Sequence, residues 1–198
     1  MNNRPLIAAG TTLGVGLGGF LDGILFHQIL QIHNMLSNWI PRTTLVNEEI
    51  NMFWDGLFHA FCLITTAIGL LMLWRIVKRP DVPLPDRVFA GSLLLGWGVF
   101  NLVEGLIDHE LLQVHHVYQN DPRLFVLWDL IFLGSALGFI LFGAWIIRTP
   151  ASSAHEILAR IDRCRGQLRA AVTESIVRKR APELVFYVVS TQEGGWNG

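Results

Sequence analysis

The chain has 198 residues, of which 52% are hydrophobic and only 16% charged, and its mean hydropathy is +0.43. An ordinary soluble domain of this length carries more charge. The net charge of −1 gives no indication of a nucleic-acid partner. The two cysteines, Cys62 and Cys164, form no CxxC pair, so neither a disulfide framework nor a thiolate metal site is expected.

Four apolar segments follow one another along the chain, at about residues 6–30, 52–74, 88–112 and 124–147. Each is long enough to cross about 30 Å of hydrocarbon at about 1.5 Å per residue. The first contains Asp22 and is followed by no small-residue cleavage site, so we interpret it as a retained helix rather than a signal peptide. The sequence therefore predicts an all-α integral membrane protein, a four-helix bundle surrounded by the lipid bilayer.

Lysine and arginine residues predict the orientation of the chain in the membrane. The loop between the second and third segments carries four basic residues: Arg75, Lys78, Arg79 and Arg87. Each of the other two loops carries one arginine. This asymmetry predicts cytoplasmic N- and C-termini, with extracytoplasmic loops after the first and third helices.

The first and third segments contain an internal repeat. Residues 14–33, GVGLGGFLDGILFHQILQIH, align without gaps with residues 96–115, GWGVFNLVEGLIDHELLQVH, at an offset of 82. Asp22 recurs as Glu104, and His27 and His33 recur as His109 and His115. A weaker match links Trp54-Asp55 and Phe58 with Trp128-Asp129 and Phe132. We expect two parallel two-helix repeats, at about 8–76 and 88–149, related by a pseudo-two-fold axis along the membrane normal.

Small residues indicate where the helices pack closely. Gly10, Gly14 and Gly18 form a four-residue series in the first helix, and Gly134 with Gly138 forms a similar one in the fourth. Without side chains at these positions, two helix backbones can approach each other. Both series are therefore predicted to lie at helix contacts.

Ionisable residues inside the apolar segments require compensation, because each costs about 2.5–3.5 kcal/mol at a helix centre. Those within or near the segments are Asp22, His27, Asp55, His59, Glu104, Asp108, His109 and Asp129. Mutual hydrogen bonds, water or a metal ion can offset the cost. Asp55 and Asp129 each follow a tryptophan near a predicted helix start, and we interpret them as N-terminal charges favoured by the helix dipole.

The histidines suggest a transition-metal site in the extracytoplasmic half of the membrane. Counting about 1.5 Å per residue from the helix ends gives two layers, which a bend at the helix ends would merge. We predict a buried layer with His27, His59 and His109 as core ligands, supported by Asp22, Glu104 or Asp108. We predict an outer layer that forms an access site or a second metal site: His33, His115 and His116. Imidazole with carboxylate suits zinc, iron, manganese or copper(II).

Three other functions remain open. A membrane metalloenzyme acting on a lipid-like substrate would use the ion as a zinc hydrolase or as a di-metal oxidoreductase. A haem b protein would use His27 and His109, at equal depth, as axial ligands. A metal-free proton or solute pathway would be lined by Asp22, His27, Glu104 and His109.

Residues 150–198 form a separate, more charged tail. Residues 153–180 read as an amphipathic helix with a basic side, followed by a strand-like run, LVFYVV. Such a helix can lie on an anionic cytoplasmic leaflet or dock on a partner. The sequence is compatible with a membrane protein partner and with a homo-oligomer.

The runs GGFLDGILFHQILQIHNMLS, DGLFHAF and LLLGWGVFNLVEGLIDHELLQVHH resemble a family of predicted bacterial four-helix membrane proteins, a domain of unknown function, over about residues 8–148. The resemblance implies the four-helix fold and a prokaryotic plasma membrane, and it supplies no activity. It also suggests metal handling, copper among the candidates, linked to respiratory-enzyme assembly. A paired histidine is expected from the resemblance at the end of the first helix, but this chain has His33-Asn34.

Overall fold

The structure is a computed structural model that describes residues 2–149 and 164–165. Its four long helices are α1 (Arg4–Asp22), α2 (Leu45–Val77), α3 (Asp86–Glu104) and α4 (Phe125–Arg148). With their short extensions, all four are long and apolar enough to cross a membrane, as predicted, and the described residues contain no strand. The predicted tail helix and strand-like run lie outside the described residues, apart from Cys164 and Arg165.

The beginning of α2 differs from its prediction. The helix starts at Leu45, where the side chain of Thr44 accepts a hydrogen bond from the backbone N–H of Asn47 and so caps the first turn. Asp55 consequently lies about three turns inside α2. Asp129 is also beyond the first turn of α4. The interpretation of these two aspartates as N-terminal helix charges was therefore wrong.

The helices are arranged in the order α2, α1, α3, α4. α1 packs against α3 in the centre, α2 packs on α1, and α4 packs on α3, whereas within residues 2–149 the backbones of α2 and α3 do not approach closely, nor do those of α1 and α4. About half of the spanning residues of α1 and α3 are buried, against fewer than a fifth in α2 and α4. The apolar outer faces of α2 and α4 are thus available to lipid.

The contact between α1 and α3 depends on two glycines. A Cβ atom on Gly14 would collide with the carbonyl oxygen of Leu93, and one on Gly96 would collide with the carbonyl oxygen of Thr11. The two glycines are 82 residues apart, and so are Thr11 and Leu93, so the two contacts are related by the repeat offset. Because a backbone carbonyl cannot rotate away as a side chain can, the approach of the two helices requires glycine here.

The glycines of α4 do not behave as predicted. A Cβ atom on Gly134 or Gly138 would meet nothing within 4 Å. The face of α4 that packs on α3 instead carries Asp129, Ala136 and Gly143, which are spaced seven residues apart and are all buried.

Two π-helical segments end the first and third helices. α1 continues as Gly23–Ile29 and α3 as Gly105–Leu111. Shortly after each segment the backbone turns through a left-handed residue, Gln31 or Gln113, both with a φ of 50°. This conformation is uncommon for a residue other than glycine. The reversal directs the following residues back over the end of the helices, and so it buries side chains that a straight helix would carry out of the membrane.

Candidate metal centre

Four imidazole rings form the centre of the polar cluster. His27 and His109 come from the two π-helical segments, while His33 and His115 come from the chain reversals that follow. None is more than 2% exposed. The ring centroids of His27 and His33 are 4.6 Å apart, those of His33 and His115 are 4.7 Å apart, and those of His115 and His109 are 4.8 Å apart. We call these four residues the histidine cluster.

Backbone carbonyl groups orient two of these rings. His33 Nδ1 lies 2.9 Å from the carbonyl oxygen of Val117, and His115 Nδ1 lies 3.1 Å from that of Met35. A carbonyl oxygen only accepts, so each Nδ1 must carry the proton and donate it. In the neutral ring, Nε2 then keeps its lone pair. Both histidines are held in the tautomer that offers Nε2 to a metal ion.

Carboxylates orient the other two rings. His27 Nδ1 is 2.9 Å from Asp55 Oδ1, and His109 Nδ1 is 3.5 Å from Asp129 Oδ1. A histidine that binds a metal commonly donates its other N–H to a carboxylate or a backbone carbonyl, which fixes the ring. Three rings of the histidine cluster therefore have a hydrogen-bond acceptor at Nδ1, and the fourth ring, that of His109, has the carboxylate of Asp129 at ion-pair distance.

The two supporting aspartates are held by their own hydrogen bonds. Asp55 accepts from Gln28 Nε2 at 3.2 Å, from the amide of Asn34, and from the backbone N–H of Met35 at 2.8 Å. Asp129 accepts from the backbone N–H of Val117 at 3.0 Å and contacts His116 Nδ1 at 2.7 Å.

Two further carboxylates face the Nε2 atoms. Asp22 Oδ2 lies 3.3 Å from His27 Nε2, and Glu104 Oε1 lies 3.1 Å from the Nε2 atoms of both His109 and His115. Since the proton of His115 is on Nδ1, a nitrogen lone pair and a carboxylate lone pair would face each other at 3.1 Å. Such a contact is repulsive unless a proton or a cation lies between the two atoms.

Several polar atoms of this centre have no hydrogen-bond partner although they are buried. They are Asp22 Oδ2, His27 Nε2, His33 Nε2, Glu104 Oε2 and both ring nitrogens of His109. A buried polar atom without a partner costs about 1–3 kcal/mol. Several such atoms converging in one place suggest a binding site rather than a chance defect in packing.

Two groups of side chains present ligand atoms that all lie within 4.8 Å of one another. The first is His27, His33 and His115, and the second is Glu104, His109 and His115. His115 belongs to both, and its Nδ1 is already engaged by the carbonyl of Met35. Only its Nε2 is available, so the two groups together describe one shared centre more simply than two independent sites.

His33 lies outside the membrane-spanning segments, in the first chain reversal. Burial, with smaller contributions from the neighbouring His115 and His27, holds the pKa of His33 well below its ordinary value of 6.5. The ring is therefore neutral at physiological pH, which is the state that binds metals.

The structure groups the predicted site residues differently from the two layers expected. His33 and His115, expected in an outer layer, lie directly beside His27 and His109. His59 belongs to neither ligand group: its Nδ1 donates to the carbonyl oxygen of Asp55 at 2.6 Å, one turn earlier in α2. The difference arises from the chain reversals, because the depth estimate counted residues along straight helices.

Two more predicted residues lie beside the histidine cluster rather than in it. His116 contacts Asp129 at 2.7 Å and stacks on Phe125 with a centroid separation of 4.3 Å. Asp108 is half-buried and lines an apolar cavity together with Glu104. Neither is among the described groups of converging ligand atoms.

Sequence reasoning missed Asp55 and Asp129 as part of the centre. Both are at most 2% exposed and orient imidazoles of the histidine cluster. The signal was present, since the Trp-Asp pair with a phenylalanine three residues later occurs once in each half of the chain. The carbonyl groups of Met35 and Val117 had no such signal, because any residue can provide a backbone carbonyl.

Comparison with known proteins supplies a family. Residues 9–150 match a family described as a predicted membrane protein, DUF2243, a domain of unknown function. The chain belongs to this family. No curated protein and no solved structure matches it. The family therefore agrees with the four membrane-spanning helices and leaves the chemistry to be argued from the site.

Asn34 stands where the resemblance led us to expect a second histidine, and the structure shows what its side chain contacts. The amide nitrogen of Asn34 donates to Asp55 Oδ2 and, at 3.3 Å, to the carbonyl oxygen of His27. His116, which is 82 residues further along the chain, contacts Asp129 in the corresponding way. Positions 34 and 116 therefore each contact the aspartate beside the histidine cluster, one through an amide and the other through an imidazole.

Proposed function

We propose that this protein binds one transition-metal ion within the membrane, held by the histidine cluster with Glu104 and Asp22. The observation that carries the proposal is that hydrogen bonds to backbone carbonyls fix the tautomers of His33 and His115. His33 and His115 donate Nδ1–H to backbone carbonyls, so their Nε2 lone pairs are directed into the buried cluster, where His115 Nε2 faces Glu104 and His33 lies beside His27 and His115. Such lone pairs are favourable only around a cation or a shared proton.

The distances suit a metal ion. With Zn–N and Zn–O distances of about 2.1 Å, an ion between atoms 3.1 Å apart would subtend an angle of about 95°, within the range of ordinary coordination. Imidazole and carboxylate ligands suit zinc, iron, manganese and copper(II). A bound ion of this class would supply a Lewis acid and a site for binding water.

The two halves contribute equivalently to the centre, which supports a pseudo-two-fold axis between α1 and α3. His33 contacts the carbonyl of Val117, and His115 contacts that of Met35. The two histidines are 82 residues apart, and so are the two residues whose carbonyls they contact. The basic loop between α2 and α3 lies at the opposite helix ends, so the positive-inside rule puts the centre on the extracytoplasmic side of the plasma membrane, with cytoplasmic termini. Metal handling, including a part in respiratory-enzyme assembly, is the role that fits such a position.

The haem alternative fits this arrangement less well. The rings of His33 and His115 stack at 4.7 Å with an interplanar angle of 8°, and each also contacts His27 and His109. A porphyrin between His27 and His109 would need the space that these two rings occupy.

Elemental analysis tests the proposal. The protein is purified in detergent without a metal-affinity step, beside a His27→Ala/His109→Ala variant and a His59→Leu control. We expect about one equivalent of a transition metal in the wild type and in the control, and none in the double variant. Circular dichroism and gel filtration of all three proteins separate loss of the site from loss of the fold.

Two results would overturn the proposal. One is that the folded wild type holds no zinc, copper, iron or manganese even after reconstitution, which would leave a proton or solute pathway. The other is an equal metal content in the wild type and the folded double variant.

A membrane metalloenzyme is the second candidate, favoured by one specific observation. A largely apolar cavity of about 410 Å³ reaches Glu104, whose Oε1 contacts two histidines of the cluster. A lipid-like substrate in that cavity would approach the metal centre from the bilayer. Turnover of such a substrate that depends on both His109 and the metal would favour this role over metal handling.

A further inference from the structure

The cavity of about 410 Å³ lies between α2 and α3, two helices whose backbones do not pack against each other. Four aromatic side chains line it: Trp54, Phe58, Phe61 and Phe100. Residues at its rim, including Leu57 and Val103, are about half exposed on the surface of the membrane-spanning region. The cavity, which we call the α2–α3 groove, is therefore accessible from the hydrocarbon of the bilayer.

The acidic lining residues of the α2–α3 groove are Glu104 and Asp108. Glu104 is only 7% exposed, and its Oε2 is buried without a hydrogen-bond partner, while its Oε1 is directed at His109 and His115. A groove with apolar walls and unpaired acceptors at one end is complementary to an apolar molecule with a hydrogen-bond donor.

A second groove, between the end of α1 and α4, provides an internal comparison. It is smaller, about 220 Å³, and is lined among others by Phe26, Trp128, Ile131 and Phe132. Phe26 aligns with Asp108 in the repeat. The second groove therefore lacks the aspartate. The two grooves occupy equivalent places in the two repeats, but they differ in size and in polarity.

The chemistry of the α2–α3 groove narrows the range of occupants. The phosphate of a phospholipid or the carboxylate of a fatty acid would be repelled by Glu104 and Asp108. An aliphatic alcohol would donate to them but would make little use of four aromatic rings. A planar aromatic head that carries hydroxyl groups meets both requirements, because it can stack on the rings and donate to a carboxylate.

We propose that the α2–α3 groove binds the aromatic head of a membrane-soluble isoprenoid quinol. Its hydroxyl donates to Asp108, and its ring packs against Trp54, Phe58 and Phe100. Its chain leaves between α2 and α3 into the bilayer. The α2–α3 groove shares Glu104 with the proposed metal site, but its contact with Asp108 does not require an ion in the histidine cluster.

Partitioning between nanodiscs tests this proposal. A short-chain quinol, decylubiquinol, is equilibrated under anaerobic conditions between protein-loaded and protein-free phospholipid nanodiscs. Two probes are run beside it: its dimethyl ether, which has no donor, and dodecanol, which has no ring. We expect decylubiquinol to bind the loaded nanodiscs at least about tenfold more tightly than either, since a charge-assisted hydrogen bond and ring contacts are both lost in the controls.

Variants locate the binding. Asp108→Asn should weaken binding of decylubiquinol by about tenfold without changing the size of the side chain. Leu57→Trp should fill the rim of the α2–α3 groove and abolish binding. Ile131→Trp makes the same change at the aligned position of the second groove, at a similarly exposed residue, and should leave binding unaltered.

The outcomes are distinct from those of the metal assay. Binding that is unchanged in a folded Leu57→Trp protein, or lost equally in Ile131→Trp, would overturn the proposal, as would equal binding of decylubiquinol and its dimethyl ether. Equal binding of dodecanol would show that an aliphatic alcohol is the occupant, and would also overturn the quinol assignment. All variants should keep the metal content of the wild type.

Discussion

The two halves of the membrane domain, α1–α2 and α3–α4, are nearly equivalent where they meet and different at their outer surfaces. At the centre, Gly14 contacts α3 as Gly96 contacts α1, and His33 and His115 each bind a backbone carbonyl of the opposite half. Each ring of the cluster has a counterpart in the other half. The metal-binding potential of the protein is thus a property of the contact between halves rather than of either half alone.

The differences between the halves lie one layer further out. Position 34 is asparagine where position 116 is histidine, and position 26 is phenylalanine where position 108 is aspartate. His59, which packs near Gly23, has Leu133 as its counterpart near Gly105. The four histidines of the cluster recur in both halves, whereas these three differing pairs lie around the cluster.

The largest expected effect comes from separating the halves. Gly14→Ala places a methyl group against the carbonyl oxygen of Leu93 and close to Gly96, whose Cα would lie 2.9 Å away. Overpacking of this kind costs about 1–3 kcal/mol, and more where the obstacle is backbone. We expect a clear fall in the thermal unfolding midpoint in detergent and loss of the bound metal, because both halves provide ligands.

Gly134→Ala is the matched control, since its new methyl group meets nothing within 4 Å. It should leave both the unfolding midpoint and the metal content near those of the wild type. Equal destabilisation by the two substitutions would mean that the contact at Gly14 is not what holds the halves together.

A smaller effect is expected from the carboxylates that orient the imidazoles. Asp55→Asn and Asp129→Asn should each weaken metal binding by about 10–100-fold while the protein still folds, because supporting partners of metal ligands typically contribute that much. Competition with a chelator of known affinity measures the change. Asp55→Asn should be the more damaging, since Asp55 is 2.9 Å from its histidine whereas Asp129 is 3.5 Å from His109.

The two aspartate variants also test the symmetry of the centre. If Asp129→Asn weakens binding more than Asp55→Asn does, the ion sits nearer the second half, at Glu104 and His109. If neither variant changes the affinity, the contacts of these carboxylates with the rings have only a structural role.

Hydropathy and repeat analysis of the sequence predicted the four spans and the corresponding positions of His27 and His109 near the ends of the first and third helices, for straightforward physical reasons. An apolar stretch has to be long enough for the membrane, and a gapless repeat implies equivalent positions. The sequence did not predict the π-helical segments or the left-handed Gln31 and Gln113. These features depend on the packing of the whole domain, and glutamine gives no local sign of a positive φ.

The chain reversals also account for the arrangement of the site. Counting along straight helices put His33 and His115 in an outer layer, and the sequence did not show the bends that bring this layer beside His27 and His109. The glycines of α4 were assigned to a contact from spacing alone, although spacing does not say which face of a helix meets its neighbour. Patterns along one helix were informative, whereas contacts between segments distant in sequence were not.

The smallest expected effect concerns the residue pair that distinguishes the two chain reversals. His116→Asn gives the second half the residue that the first half already uses, and Asn34 holds Asp55 through a single amide contact. The asparagine introduced at position 116 should donate its amide to Asp129 in the same way. We therefore expect an unchanged metal stoichiometry and a change in affinity of no more than about threefold, well below the 10–100-fold expected for the aspartates.

His116→Ala serves as the comparison for that exchange, because alanine removes the contact with Asp129 altogether. It should weaken metal binding toward the level of Asp129→Asn, whereas His116→Asn should not. Complete loss of metal in a folded His116→Asn protein would instead make His116 a ligand. The two halves would then differ in the set of ligands itself, and the contrast between a shared centre and divergent surroundings would no longer hold.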